Sequence, residues 1–391
     1  MATMLVAAYF LPRFAVGLGE RELPLTLVVT LICIALLLIT GGLRLSTARL
    51  IGFAVAAACL IAAATFGQGL RVSASSFGQL LVLYACYAFV LADDADLHRR
   101  VLKVFRALAL ILAACGIVQF AAQFAVPGGQ LFTFEGLVPD AILSKGWNTT
   151  IPMADGQAVF KSNGFFLLEP SHFSQLMALA LIVELLFFRL TWRVAVLGVA
   201  LGLAFSGTGL AMLVIFGPLL LVRRGHAAPV LAALALGIAL ALFAGDLGLG
   251  SLFQRVGEFD DSYSSGFARF LSPFYLFEDF QLSSLAATLF GLGPGSIDNF
   301  FNALRYTVHD PTWGKLFFEY GLVGFVPLMS YVGYCLFAHA RSGWLSAALF
   351  FQYLLLGGYL LDARLHPVIL ALAVFHNVPL RPRPAAMPVR A

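Results

Sequence analysis

Apolar residues run along this chain in long unbroken blocks, and most of the charge sits in short polar stretches between them. Residues 23–40, 50–66, 77–92 and 107–126 contain no charged side chain. Blocks of roughly 18–20 apolar residues match the ~30 Å of hydrocarbon that a helix crosses at about 1.5 Å per residue. A helix also bonds its own backbone groups, as lipid requires. These four blocks therefore predict membrane-spanning helices. Further spans are predicted at 165–188, 194–205, 210–222, 227–244, 316–337, 344–361 and 367–380. The pair 194–205 and 210–222 reads as a helical hairpin turning at Ser206-Gly-Thr-Gly209. Residues 4–18, interrupted by Pro12 and Arg13, read as a signal-like or re-entrant segment or as a short first span. No small-residue cleavage site follows them convincingly, so they are counted as a span. The expected fold class is an all-α polytopic membrane protein with about twelve transmembrane helices.

Composition agrees, because 61% hydrophobic against 11% charged residues leaves too little polar surface for a water-soluble domain of 391 residues. Mean hydropathy is +0.92. Charge then orients the chain, since short cytoplasmic loops collect Lys and Arg. With the N-terminus cytoplasmic, that side receives Arg44, Arg49, Arg99, Arg100, Lys103, Arg106, Arg189, Arg193, Arg223, Arg224, Arg341, Arg381, Arg383 and Arg390. The short outer loops receive only Arg21, Arg71 and Arg364. This asymmetry accounts for the net charge of +4 without nucleic acid as a partner. It predicts a multi-pass inner-membrane protein with both termini cytoplasmic.

Five segments follow: N-terminal helices (1–126), a first periplasmic loop (127–163), central helices (164–244), a large periplasmic loop (245–314), and C-terminal helices with a cytoplasmic tail (315–391). Only the two periplasmic loops are long, which places the working surface outside, unless they are passive connections. Cys33, Cys59, Cys86, Cys115 and Cys335 all fall inside predicted spans, so no disulfide framework is implied. The chain contains no CxxC, HExxH or P-loop pattern and no repeat of fixed period.

Polar chemistry concentrates in Lys161-Ser-Asn-Gly-Phe-Phe-Leu-Leu-Glu-Pro-Ser-His-Phe-Ser-Gln175, where a span begins. Glu169 and His172 lie on one helical face if the helix starts near Pro170. Ionisable groups at that depth usually face a cavity or the bundle interior. The plainer reading is that Glu169 caps the helix and His172 bonds a neighbour. In the large loop eight acidic residues face three arginines, Arg255, Arg269 and Arg305. Arg269 and Arg305, with Lys161, are candidates to bind a pyrophosphate, because a guanidinium matches phosphate oxygens in a fork. Arg255 is expected to pair with Glu258, and a local ion pair is the alternative for each. Gly291-Leu-Gly-Pro-Gly-Ser-Ile-Asp-Asn299 lacks the βαβ setting of a dinucleotide loop. Its glycines suit a tight turn whose N–H groups form an anion nest.

The order Arg269, then Gly291-Leu-Gly-Pro-Gly295, then His309 ahead of Glu319-Tyr-Gly-Leu-Val-Gly324 resembles the O-antigen ligase and Wzy-type polysaccharide polymerase superfamily. The Gly-Phe-Phe-Leu-Leu-Glu-Pro-Ser segment is similar to one in bacterial exopolysaccharide polymerases. The resemblance covers about residues 161–324. It implies a GT-C-like, metal-independent, inverting glycosyltransferase without cofactor, acting on an undecaprenyl-pyrophosphate-linked oligosaccharide at the outer membrane face. Membrane lipid, a flippase, a chain-length regulator and export proteins are its implied partners. Arg269 matches the superfamily arginine and His309 its histidine. Lys161 stands where relatives commonly have Arg, and Thr208 replaces the arginine of the hairpin turn, which moves one expected phosphate contact to Arg305.

The residues support such chemistry on their own. Fixed cations stabilise a leaving pyrophosphate, and His309 suits the base that takes the proton of the attacking hydroxyl, with Glu169 second. His172, Lys315 and Glu319 are secondary candidates. The expected activity is a polymerase of lipid-linked repeat units. The alternative is a ligase using the same donor. A third reading, a transporter or flippase, would use Glu169, Glu184 and Glu319 as an ion relay. Pairing of Glu319 with Lys315, one turn away, is the plainer reading of that glutamate.

Overall fold

In the computed structural model, residues 1–18, 21–69, 72–92, 95–126, 129–153, 158–226, 228, 230, 264–297, 300, 306 and 310–377 are described. The apolar blocks form helices, so the chain is mostly helical. Among the described residues, four helices are long and apolar enough to cross a membrane: α3 (Thr47–Phe66), α5 (Ala95–Ala122), α6 (Pro170–Phe187) and α12 (Thr312–Phe337). Shorter apolar helices join them: α2 (Leu25–Ile39), α4 (Ala74–Ala85), α7 (Trp192–Leu203), α8 (Gly207–Arg223) and α13 (Gly343–Leu355). These helices mark the chain as a membrane protein. The remaining α-helices among the described residues are α1 (Ala2–Phe10), α9 (Ser265–Phe270), α10 (Ser272–Phe280), α11 (Leu285–Phe290) and α14 (His366–Leu372).

Helix α6 is central. Its residues from Phe173 to Leu185 are all buried, and it packs on α5, α7, α8 and α13. Close approach is built in at Gly209 of α8, where an added Cβ would stand 2.4 Å from the Ser174 carbonyl oxygen. Ser174 Oγ accepts from Gly209 N at 3.2 Å, so the α7–α8 turn is fastened to the first turns of α6.

Several predicted spans take other forms. Residues 4–18 are helical only to Phe10, after which β1 (Ala15–Leu18) pairs antiparallel with β2 (Arg21–Pro24). The 77–92 block leaves its helix at Ala85, and β4 (Phe89–Leu91) pairs antiparallel with β3 (Leu43–Leu45). Within 367–380, helix α14 stops at Leu372. Residues 227–244 lie almost wholly outside the described residues. Helix α12 breaks at Gly321, whose φ of 55° and ψ of −165° are not helical. That break is a packing device: a Cβ on Gly321 would meet the Leu289 carbonyl oxygen at 2.4 Å, and one on Gly291 the Glu319 carbonyl carbon at 2.4 Å.

The connections gather at two ends. At one, Arg49 donates to the carbonyls of Tyr87, Phe89, Val374 and Asn377, Arg106 pairs with Glu184 at 3.2 Å, and Arg224 donates to Phe188 O at 2.7 Å. At the other, Gln68 N donates to Gly291 O, Ser73 N to Pro294 O, Ser144 N to Arg13 O, and Thr312 N to Gly357 O. The second end holds the candidate site.

Candidate active site

The segment ahead of α6 is held from behind by α5. Ser162 Oγ lies 3.0 Å from both Gly116 O and Gln119 Oε1, which share its one proton. Asn163 Oδ1 accepts from Gln119 Nε2 at 2.9 Å, and Asn163 Nδ2 donates to Thr149 O at 2.8 Å. With both side chains fully buried, the chain can turn through left-handed Gly164 and Phe165 (φ 69° and 68°). It enters α6 with Glu169 extended at the cap and Pro170 in the first turn, where a missing N–H costs nothing.

Glu169 and His172 thereby border one cavity of about 120 Å³ together with Trp147, Gln175, Arg269, Asp310 and Asp362. Glu169 Oε2 accepts from Ser171 Oγ at 2.9 Å. The His172 ring lies between Trp147 and Tyr359, with centroids 5.5 and 5.9 Å away. Tyr359 donates its hydroxyl to Gln175 Oε1 at 2.5 Å, and Gln175 Nε2 donates to Leu356 O at 3.2 Å. These bonds tie the loop between α13 and α14 to α6.

That loop supplies two charges the sequence reading did not assign to a site. Arg364 Nη1 bonds Asp362 Oδ1 at 3.0 Å, Nη2 donates to Ser144 Oγ at 2.8 Å, and Nε to Pro12 O at 3.0 Å. Its guanidinium lies 5.0 Å over the Trp147 ring. Burial opposes ionisation of Asp362, but the Arg364 guanidinium, His172 and the hydrogen bonds from the Arg364 backbone and side chain together more than offset it, and the carboxyl is held below its ordinary pKa. Arg269, in the last turn of α9, is lowered from the ordinary guanidinium value by burial, against the opposing pull of the Glu169 carboxylate. A carboxylate and a guanidinium thus influence each other across the cavity, with an imidazole beside them.

Of the residues singled out from sequence, Glu169, His172 and Arg269 meet at this cavity. Lys315 sits beneath it: its Nζ bonds Asp310 Oδ2 at 2.6 Å and lies 3.8 Å from the buried Glu319. Lys161 is not among the lining residues; its backbone N–H donates to Ile151 O at 2.9 Å. Arg305 and His309 lie outside the described residues. The Gly291 turn is not an anion nest in its first half, because Leu292 N and Gly293 N donate to the carbonyls of Phe318 and Glu319, both at 2.9 Å. Thr208 bonds Ser171 O at 3.4 Å and helps fasten α8 to α6. Comparison with protein-family models, characterised proteins and solved structures returns no match for this chain.

Proposed function

We propose that this chain is a polysaccharide polymerase that joins undecaprenyl-pyrophosphate-linked repeat units at the outer face of the bacterial inner membrane. In this reading it works by inverting, metal-independent glycosyl transfer on a GT-C-like frame of about twelve spans, with both termini cytoplasmic. The observation that supports the reading is the convergence of Glu169, His172 and Arg269 on one cavity, at the end away from the arginine-rich connections.

In the proposed reaction the acceptor hydroxyl gives its proton to Glu169 and attacks the anomeric carbon as the bond to pyrophosphate breaks. The leaving group keeps the electron pair. Arg269 stabilises the charge that develops there, in a site partly shielded from water. His172, held between two aromatic rings, aligns the hydroxyl. His309 is the competing base and Arg305 a further phosphate ligand, and both belong in the same mutant series. A transporter relay has less support: Glu184 is paired with Arg106 and Glu319 with Lys315.

Purified protein in liposomes, given a defined lipid-linked repeat, should make products longer than one repeat. Failure to elongate, or export of the repeat without elongation, would refute the proposal. In cells lacking the protein, single repeats should accumulate; unattached long chains would instead assign the ligase reaction.

A further inference from the structure

A second, larger cavity of about 460 Å³ adjoins the first, and Trp147 borders both. Its volume lies in the range of small-ligand sites, roughly 300–1000 Å³. Arg13 borders it and is only 3% exposed. The Nε atom of Arg13 donates to Leu167 O at 2.9 Å, and its guanidinium lies 5.0 Å from the centre of the Phe134 ring. Its Nη2 is buried without a hydrogen-bond partner, and no carboxylate among the described residues forms an ion pair with it. A buried charge lacking a counter-ion costs several kcal/mol. A guanidinium does not give up its proton at neutral pH, so the buried group is a cation.

The rest of the lining selects among anions. Lys145 adds a second positive charge, while Glu135 and Asp140 add two negative ones, all at the exposed mouth. A pyrophosphate entering here would meet two carboxylates. A sugar bearing a single carboxylate would place that group on Arg13 and use Glu135 and Asp140 as acceptors for its hydroxyls.

We propose that this cavity binds an acidic sugar of the glycan, a uronic acid or similar carboxylated unit held by Arg13, and delivers it past Trp147 to the smaller cavity. The proposal rests on the polymerase reading and names the substrate class that reading lacks.

Calorimetric titration of the purified full-length protein in nanodiscs tests it with three probes: a glucuronate-containing oligosaccharide, its neutral glucose counterpart, and a short-chain prenyl pyrophosphate. The acidic probe should bind at least about tenfold more tightly than the neutral one, as one charge-assisted hydrogen bond predicts. Arg13→Gln should abolish that preference. Because Arg13 also holds the Leu167 carbonyl, Lys145→Glu at the exposed mouth provides a second variant; it should weaken the acidic probe severalfold and leave the neutral one unchanged. Equal binding of the two sugars by the wild type, or a preference that survives both substitutions, would overturn the inference. So would an Arg13→Gln variant that loses prenyl pyrophosphate but keeps the acidic sugar, since the cavity would then serve the donor. Elongation of a lipid-linked repeat is measured separately. Elongation without acid preference sinks this inference alone, and Arg13-dependent acid binding without elongation sinks the polymerase reading alone.

Discussion

Glu169→Gln is the substitution that isolates proton transfer at the candidate site. The carboxylate makes no side-chain cap bond to α6, so the helix start does not depend on its charge. Among the described residues its carboxylate accepts a hydrogen bond from Ser171 Oγ at 2.9 Å, a donor that an amide oxygen accepts equally well. Glutamine therefore keeps the volume and that bond, and removes the charge beside Arg269 together with the capacity to take a proton. Loss of a general base costs about 10²- to 10⁴-fold in kcat, or about 2.7–5.4 kcal/mol at 1.36 kcal/mol per decade. The assay is single-turnover elongation of a defined lipid-linked repeat by purified protein. Size-exclusion behaviour and melting temperature serve as controls for the fold. KM should move far less than kcat, because the bond is needed most in the transition state. A Glu169→Gln enzyme with kcat within about threefold of wild type would refute the assignment, and a severe His309→Gln defect beside it would return the base role to His309.

Three other outcomes are expected. Arg269→Ala should lower kcat by about 10²- to 10³-fold, the worth of one preorganised donor at a developing anion, and Arg269→Lys should recover little of it because an ammonium lacks the fork; near-normal turnover by either variant would place the leaving group elsewhere. The Asp362 pKa is depressed in the fold, so its stabilising contribution is present above the unfolded value of about 3.9 and is lost as pH falls through the folded value. The melting temperature should therefore drop on acidification below about pH 4, and Asp362→Asn should flatten that dependence; parallel curves would deny the Asp362–Arg364 pair this role. Gly321→Ala should cost at least about 1–3 kcal/mol from backbone strain alone, before its contact with the Leu289 carbonyl is counted, whereas Gly333→Ala, with nothing within 4 Å, should stay within about 1 kcal/mol of wild type by thermal or denaturant unfolding.

The long helices α3, α5, α6 and α12 were legible because a charge-free or nearly charge-free run of spanning length has few other ways to fold. Their ends were less so. Nothing local says that the 77–92 block should leave its helix at Ala85, since the cause is a distant partner, the 43–45 strand. The same holds for Gly321: the Glu-x-Gly-x-x-Gly pattern was visible, but its break depends on Gly291 and Leu289 arriving from another segment. At the site, Glu169 and His172 could be paired because their spacing and Pro170 carry local information. Arg13 was visible only as an interruption in an apolar stretch, and Arg364 only as an outer charge. Their meaning comes from burial and from Trp147, Ser144 and Phe134, residues far away in sequence. An Asp-x-Arg in a short loop between two late helices was the signal available for Asp362 and Arg364.

What holds this charged loop against an apolar bundle is a buried polar chain beneath it. His366 Nε2 lies 3.0 Å from the Tyr359 carbonyl, which can only accept, so that nitrogen carries the proton. Nδ1 then accepts from Tyr87 OH at 2.9 Å. Tyr84, bonded to Tyr353, also donates to Leu360 O at 3.2 Å. The backbone on the near side of Asp362 is thus pinned at residues 359 and 360 from α4, the turn after it and α14, while the Tyr359 hydroxyl reaches Gln175 on α6. Each of these hydrogen bonds contributes only about 0.5–1.5 kcal/mol net, but leaving any member unpaired at this depth would cost more. The geometry between Asp362 and His172 therefore depends on every bond in the chain, and a change at Tyr87 or His366, remote from the cavity, reaches the site through the position of Tyr359.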